Sequence, residues 1–74
     1  MTVVAVLGAG SWGTTLADLL ARKGETVWLW AYETDVVEAI NARHENPVFL
    51  AGCPLAPSLT ATGDAVAACR GAEV

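Results

Sequence analysis

The chain has 74 residues, a composition 54% hydrophobic and 16% charged, and a formal net charge of −4. Its four basic residues, Arg22, Lys23, Arg43 and Arg70, are mostly scattered, which excludes broad binding to nucleic acid or anionic membranes, since both need basic clusters. No apolar run approaches the roughly 20 residues that span a bilayer, and the start lacks the positive n-region and long apolar h-region of a secretory signal.

Val3 to Leu7 is apolar and mostly β-branched. It reads as a fully buried strand, and the apolar composition suits strands covered on both faces of a parallel sheet. The strand runs directly into Gly8-Ala9-Gly10-Ser11-Trp12-Gly13, a G-x-G-x-x-G motif. Each glycine answers a steric need of a dinucleotide site. Gly8 allows the tight turn, Gly10 lets the backbone approach a pyrophosphate, and Gly13 lets the next helix pack close to the sheet. The pyrophosphate then lies on the helix N-terminus, where N–H groups and the positive dipole end favour an anion.

The first helix starts near Ser11, with Trp12 in its first turn. Trp12, Leu16, Leu19, Leu20 and Lys23 follow the spacing of one helix face, and Asp18 and Arg22 pair at i, i+4 on the outside. Gly24 stops the helix. Thr26 to Ala31 forms a second strand, with Trp28 and Trp30 on one face as core. Thr34 or Asp35 caps a second helix through about Arg43, with Val36, Val37 and Ile40 facing inward. Residues 44–58 hold Pro47, Gly52, Pro54 and Pro57 and read as a loop. Leu59 to Thr62 is a short third strand. Asp64 caps an alanine-rich helix that stops near Gly71, and Ala72 to Val74 opens a further strand.

The order is βαβαβα. It predicts an α/β fold, the N-terminal half of a doubly wound Rossmann domain with a parallel sheet and right-handed crossovers. A complete domain of this type needs two βαβαβ halves, so residues 1–74 are expected to form only part of one.

Glu33 stands 20 positions past Gly13 and just beyond the second strand. A carboxylate there accepts hydrogen bonds from the adenosine ribose hydroxyls and repels a 2′-phosphate, which favours NAD over NADP. Tyr32 either lies against the adenine or caps the sheet end. Ser11 is either an ordinary first-turn residue or a pyrophosphate contact. Trp12 is a core anchor, a wall over the cofactor, or both. His44 reads as a surface or loop residue, and Arg22, Lys23 and Arg43 as solvated. Cys53 and Cys69 are not in a C-x-x-C pair and read as reduced thiols, with no metal set beside them.

Gly-Ala-Gly-Ser-Trp-Gly-Thr at 8–14, Leu-Trp-Ala at 29–31, Asn41 with His44-Glu45-Asn46-Pro47, and Phe49-Leu50-Ala51-Gly52 with Pro54-Leu55 closely resemble the N-terminus of the NAD(P)-dependent sn-glycerol-3-phosphate dehydrogenases. The resemblance implies a cytoplasmic, homodimeric oxidoreductase. It implies interconversion of dihydroxyacetone phosphate and sn-glycerol 3-phosphate by hydride transfer, feeding glycerophospholipid synthesis. Ser11, Trp12, Tyr32, Glu33 and Phe49 match positions that border the cofactor in that family. Phe49 lacks the hydroxyl of the family's usual Tyr, Ala51 replaces a Pro, and Tyr32-Glu33 matches the NAD-preferring members. The family's catalytic lysine and its substrate contacts lie in later strands and a C-terminal helical domain, so no catalytic residue is assigned to this chain. Two other readings are a non-catalytic nucleotide-binding fragment and the N-terminus of another Rossmann dehydrogenase. The open apolar edge of the first strand predicts that the isolated chain self-associates or is partly unfolded, whereas a monodisperse, cooperatively unfolding monomer would favour the stand-alone module.

Overall fold

Six elements alternate along the chain: β1 (Val3–Leu7), α1 (Ser11–Arg22), β2 (Thr26–Trp30), α2 (Thr34–Arg43), β3 (Thr60–Thr62) and α3 (Ala65–Cys69). The computed structural model describes residues 3–48, 50 and 52–72. The strands form one parallel sheet in the order β1-β2-β3. Val4 stands opposite Val27, Val6 opposite Leu29, and Leu29 opposite Ala61. Because side chains alternate along a strand, these five share one face of the sheet.

That face carries the core. Ala17 and Ala21 of α1 and Val36 and Ile40 of α2 pack into one buried cluster with Val4, Val27, Leu29 and Ala61. Leu55, Ala56 and Leu59, from the segment before β3, complete it. Leu29, Ile40, Val27 and Val36 are the largest apolar side chains fully buried, each worth about 1.5–3 kcal/mol relative to exposure. At the outer edge of β3, the Asn41 amide nitrogen donates to the Ala61 carbonyl (2.9 Å) and its oxygen accepts from the Ala61 N–H (2.8 Å). The side chain does for that residue what a neighbouring strand would do.

The opposite face departs from the expectation. β1 is not buried on both sides: Val4 is its one fully buried residue and Leu7 is 59% exposed. Trp28 and Trp30 lie on this second face by alternation and are half-buried, not core. The Trp30 indole N–H donates to the Gly63 carbonyl at 3.1 Å. α3 packs against all three strands, but a five-residue helix cannot cover them.

The buried stripe of α1 also differs from the one expected. Thr14, Ala17 and Ala21 face the sheet, while of the apolar residues on the expected face Leu20 packs half-buried against the core and Trp12, Leu16 and Leu19 are exposed. The cause is proximity. A Cβ added at Gly13 would overlap the Gly8 carbonyl oxygen, so the start of the helix lies too close to the end of β1 for a large side chain to fit between.

Other expectations hold within a residue or two. Gly24, at φ +96°, follows the end of α1. β2 ends at Trp30 and β3 begins at Thr60. The N-cap position of α2 is Glu33, one residue before Thr34 and two before Asp35, the expected caps, and no side-chain cap bond forms there. The Asp64 carboxylate caps α3 as expected, accepting from the Val66 and Ala67 N–H groups at 3.0 and 3.3 Å. Ala72 is not in a strand, and the rest of the strand expected there lies outside the described residues.

Among the described residues of 44–58 the one regular feature is a bridge between Asn46 and Leu50, but the segment is anchored. Asp18 and Arg22 form the expected pair at 3.0 Å. They are not merely solvated: the Asp18 carboxylate accepts from the Ala56 N–H at 2.6 Å, and the Arg22 guanidinium donates to the Pro54 carbonyl at 3.1 Å. Among the described residues no helix is long and apolar enough to cross a membrane.

Candidate functional site

Parallel strands bring their carboxyl ends to one side of the sheet, where open α/β folds bind ligands. Here that side gathers the turn after β1, the start of α1 and the turn after β2. Leu7 and Trp30 are partners in register, so the two turns that follow them are neighbours.

The first turn is shaped by its glycines. Gly8 has φ +124°, a conformation that L side chains rarely adopt, and its N–H donates to the Trp30 carbonyl at 3.0 Å. This bond carries the chain off the end of β1 and toward α1. Gly10 takes the N-cap position in an extended conformation, with no side-chain cap bond. A Cβ at Gly10 would meet nothing within 4 Å, so the backbone faces open space. Gly13 makes the close helix–sheet contact described above. The expected steric roles of Gly8 and Gly13 are thus visible, and Gly10 leaves room for an approaching group.

The electrostatics of the three helix starts differ. α1 has no acidic residue in its first turn. α2 has Glu33 at its N-cap position and Asp35 in its first turn, and α3 is capped by Asp64. The positive end of α1 therefore meets no carboxylate of its own first turn and favours an external anion.

Ser11 and Trp12 are exposed beside Gly10, and Trp12 is 79% exposed. That removes the reading of Trp12 as a core anchor of α1. Tyr32 is equally exposed and does not pack on the sheet end, and Glu33 is exposed next to it. The structure thus brings Gly8, Gly10, Ser11, Trp12, Gly13, Tyr32 and Glu33 to the carboxyl end of the sheet. Phe49 lies outside the described residues. His44 ends α2 in the left-handed region, at φ 55°, and is half-buried at the head of the loop. Cys53 and Cys69 are free and exposed.

One residue of the site went unnoticed as such in the sequence. Asn46 is fully buried. Its amide nitrogen donates to the Ala9 carbonyl inside the glycine motif and to the Thr14 hydroxyl, both at 2.9 Å. An asparagine before a proline reads as a turn residue, and nothing local to it reveals partners more than 30 positions away.

The family model for the NAD-dependent glycerol-3-phosphate dehydrogenase N-terminus matches residues 3–74. The chain belongs to this family. Two relatives illustrate its place there. The NAD(P)+ glycerol-3-phosphate dehydrogenase 1 of Sphingopyxis alaskensis is 63% identical over 62 residues, 84% of this chain and 19% of that protein. The enzyme of the same name from Stenotrophomonas maltophilia is 59% identical over 69 residues, 93% of this chain and 20% of that protein. The chain therefore spans about a fifth of the length of these dehydrogenases. Among solved structures, glycerol-3-phosphate dehydrogenase from Coxiella burnetii superposes with a TM-score of 0.85 at 45% identity, over 96% of this chain and 22% of that one. The enzyme of Dunaliella salina gives 0.90 at 29% identity, over 97% of this chain and 15% of its own. These neighbours agree with the parallel βαβαβα architecture.

Proposed function

We propose that residues 1–74 form the first half of the NAD(P)-binding domain of a glycerol-3-phosphate dehydrogenase. The observation that carries this reading is the glycine turn: open space at Gly10 leads into a helix start with no acidic residue, in a chain of this family. Gly8, Gly10, Ser11, Trp12 and Gly13 hold the pyrophosphate. Tyr32 and Glu33 receive the adenosine end, and Phe49 borders it. The bound cofactor supplies the hydride that interconverts dihydroxyacetone phosphate and sn-glycerol 3-phosphate. The residues of this chain bind and orient it. Catalytic groups and the substrate site belong to parts of the relatives that this chain does not match. By itself the 74-residue chain is inactive, and the enzyme is a cytoplasmic homodimer.

Glu33 directs the choice of dinucleotide. It is exposed and makes no capping bond at the start of α2, which leaves its carboxylate available to ribose hydroxyls and unfavourable to a 2′-phosphate. NAD is preferred over NADP.

The test is a chimera in which this chain replaces the segment it matches in the Stenotrophomonas maltophilia enzyme. The chimera should reduce dihydroxyacetone phosphate with NADH. Glu33→Arg should shift the ratio of kcat/KM for NADPH and NADH toward NADPH by about tenfold, some 1.4 kcal/mol. Loss of turnover with both cofactors would refute the pyrophosphate cradle. A working chimera whose ratio ignores the substitution would refute only the role of Glu33.

A further inference from the structure

We infer that Asn46 is a positioning residue for the cofactor site, setting the direction in which the Ala9–Gly10 peptide presents its N–H. The inference rests on the dinucleotide reading above. The peptide is trans, as all described peptides are, so the Ala9 carbonyl and the Gly10 N–H point in opposite directions. Asn46 holds the Ala9 carbonyl from the buried side, at 2.9 Å. The Gly10 N–H is thereby turned away from the interior. The space around Gly10 is open, and α1 starts there without an acid.

The chemistry requires an amide. The Ala9 atom contacted is its carbonyl oxygen, which can only accept, so the group facing it must be the amide nitrogen. That nitrogen has two hydrogens, and its second acceptor is the Thr14 hydroxyl at 2.9 Å. Thr14 and Asn46 are both fully buried, so no solvent molecule can take over for a lost donor without rearrangement. One side chain thus ties the glycine turn to the first turns of α1.

Asn46 is itself held in place by the segment around it. Its backbone carbonyl accepts from the Leu50 N–H at 2.9 Å, and the His44 carbonyl accepts from the Leu55 N–H at 2.8 Å. Farther along, Asp18 and Arg22 of α1 fasten Ala56 and Pro54. His44, Asn46, Leu50 and Pro54 to Ala56 thus form a brace between the start and the middle of α1, with Asn46 as its contact to the anion-facing turn.

The experiment uses the chimera and its Asn46→Ala, Asn46→Asp and Thr14→Val variants, with kcat, both KM values and the thermal midpoint measured for each. Asn46→Ala should raise the KM for NADH about tenfold and leave kcat and the KM for dihydroxyacetone phosphate within about twofold. Asn46→Asp should raise it further, about thirtyfold, because a carboxylate then faces the Ala9 carbonyl. Thr14→Val, which removes one of the two acceptors, should give about threefold. NADPH should suffer by the same factors as NADH, unlike the effect at Glu33, because the change lies at the pyrophosphate and not at the ribose. NADH values within twofold of the parent in all three variants would overturn the assignment. So would a uniform fall in kcat and rise in both KM values that follows the midpoint, the mark of a merely structural residue. Should the Asn46 variants fail to fold, the Thr14→Val result decides. A parent chimera without NADH turnover would overturn the cofactor reading and this one with it, whereas a working parent with unchanged variants overturns this one alone.

Discussion

The starts of α1 and α3 are built in opposite ways. α3 has five residues, and the Asp64 side chain accepts two of its first N–H groups. α1 has twelve residues and begins on Gly10, with no side-chain cap bond and no acid in its first turn. A cap is worth about 1 kcal/mol to a helix, and a small domain has little stability to spare. The longer helix goes without a cap where the chain also turns through Gly8 and leaves open space at Gly10. The comparison teaches that the two helix starts are treated differently: a side chain of the chain itself caps α3, and none caps α1, which suits the pyrophosphate proposed for that position. α2 stands between them: Glu33 sits at its N-cap without making a cap bond, so its carboxylate also remains free to take a partner.

Closing the α1 start by force should have the largest effect. Gly13→Ala places a methyl on the Gly8 carbonyl oxygen, and neither backbone segment can move without disturbing β1 or α1. The chimera should lose about 3 kcal/mol or more, above the usual range for overpacking, seen as a lower denaturant midpoint together with lost NADH binding. A variant as stable as the parent would show that α1 does not approach β1 as closely as described.

Closing the same start with a side chain separates stability from binding. Gly10→Asp adds a carboxylate where φ is −70° and nothing obstructs the Cβ. It turns the α1 start into a copy of the α3 start. Stability should stay level or rise by a few tenths of a kcal/mol. NADH binding should fall about a hundredfold, some 2.7 kcal/mol, because the new carboxylate takes the N–H groups and repels the pyrophosphate. Titration calorimetry beside a denaturation curve reads both quantities. Joint loss of stability and binding would erase the contrast between the two helices.

Much of this site was legible in the sequence because its determinants are local. Gly8, Gly10 and Gly13 are close together, Gly8 answering a positive φ and Gly13 a close helix contact while Gly10 leaves open space, and outside the site Asp64 caps the helix that directly follows it. The buried face of α1 was misread for a reason that the same motif contains. Large residues at i, i+4 and i+7 indicate a core stripe only when a helix stands off the sheet at ordinary distance. Gly13 signals close approach, and close approach selects the small residues Thr14, Ala17 and Ala21. The half-exposure of Trp28 and Trp30 depends on how much of the second sheet face is covered, which strand composition does not report. Asn46 was out of reach for a third reason. Its partners Ala9 and Thr14 lie 37 and 32 positions away, and only the folded path of residues 44–56 brings them together.

The smallest effect tests the other half of the comparison. Asp64→Ala removes both bonds that cap α3 and should cost about 1 kcal/mol, read as a shift in the denaturation midpoint of the chimera. The KM for NADH should not move, because Asp64 serves the N–H groups of its own helix. The two substitutions are thus mirror images. A carboxylate gained at position 10 should remove binding and spare stability, and a carboxylate lost at position 64 should lower stability and spare binding. If Asp64→Ala instead raised the KM for NADH severalfold with the fold intact, the start of α3 would have to be counted as part of the cofactor site. The division between a helix start that serves the fold and one that serves the ligand would then fail.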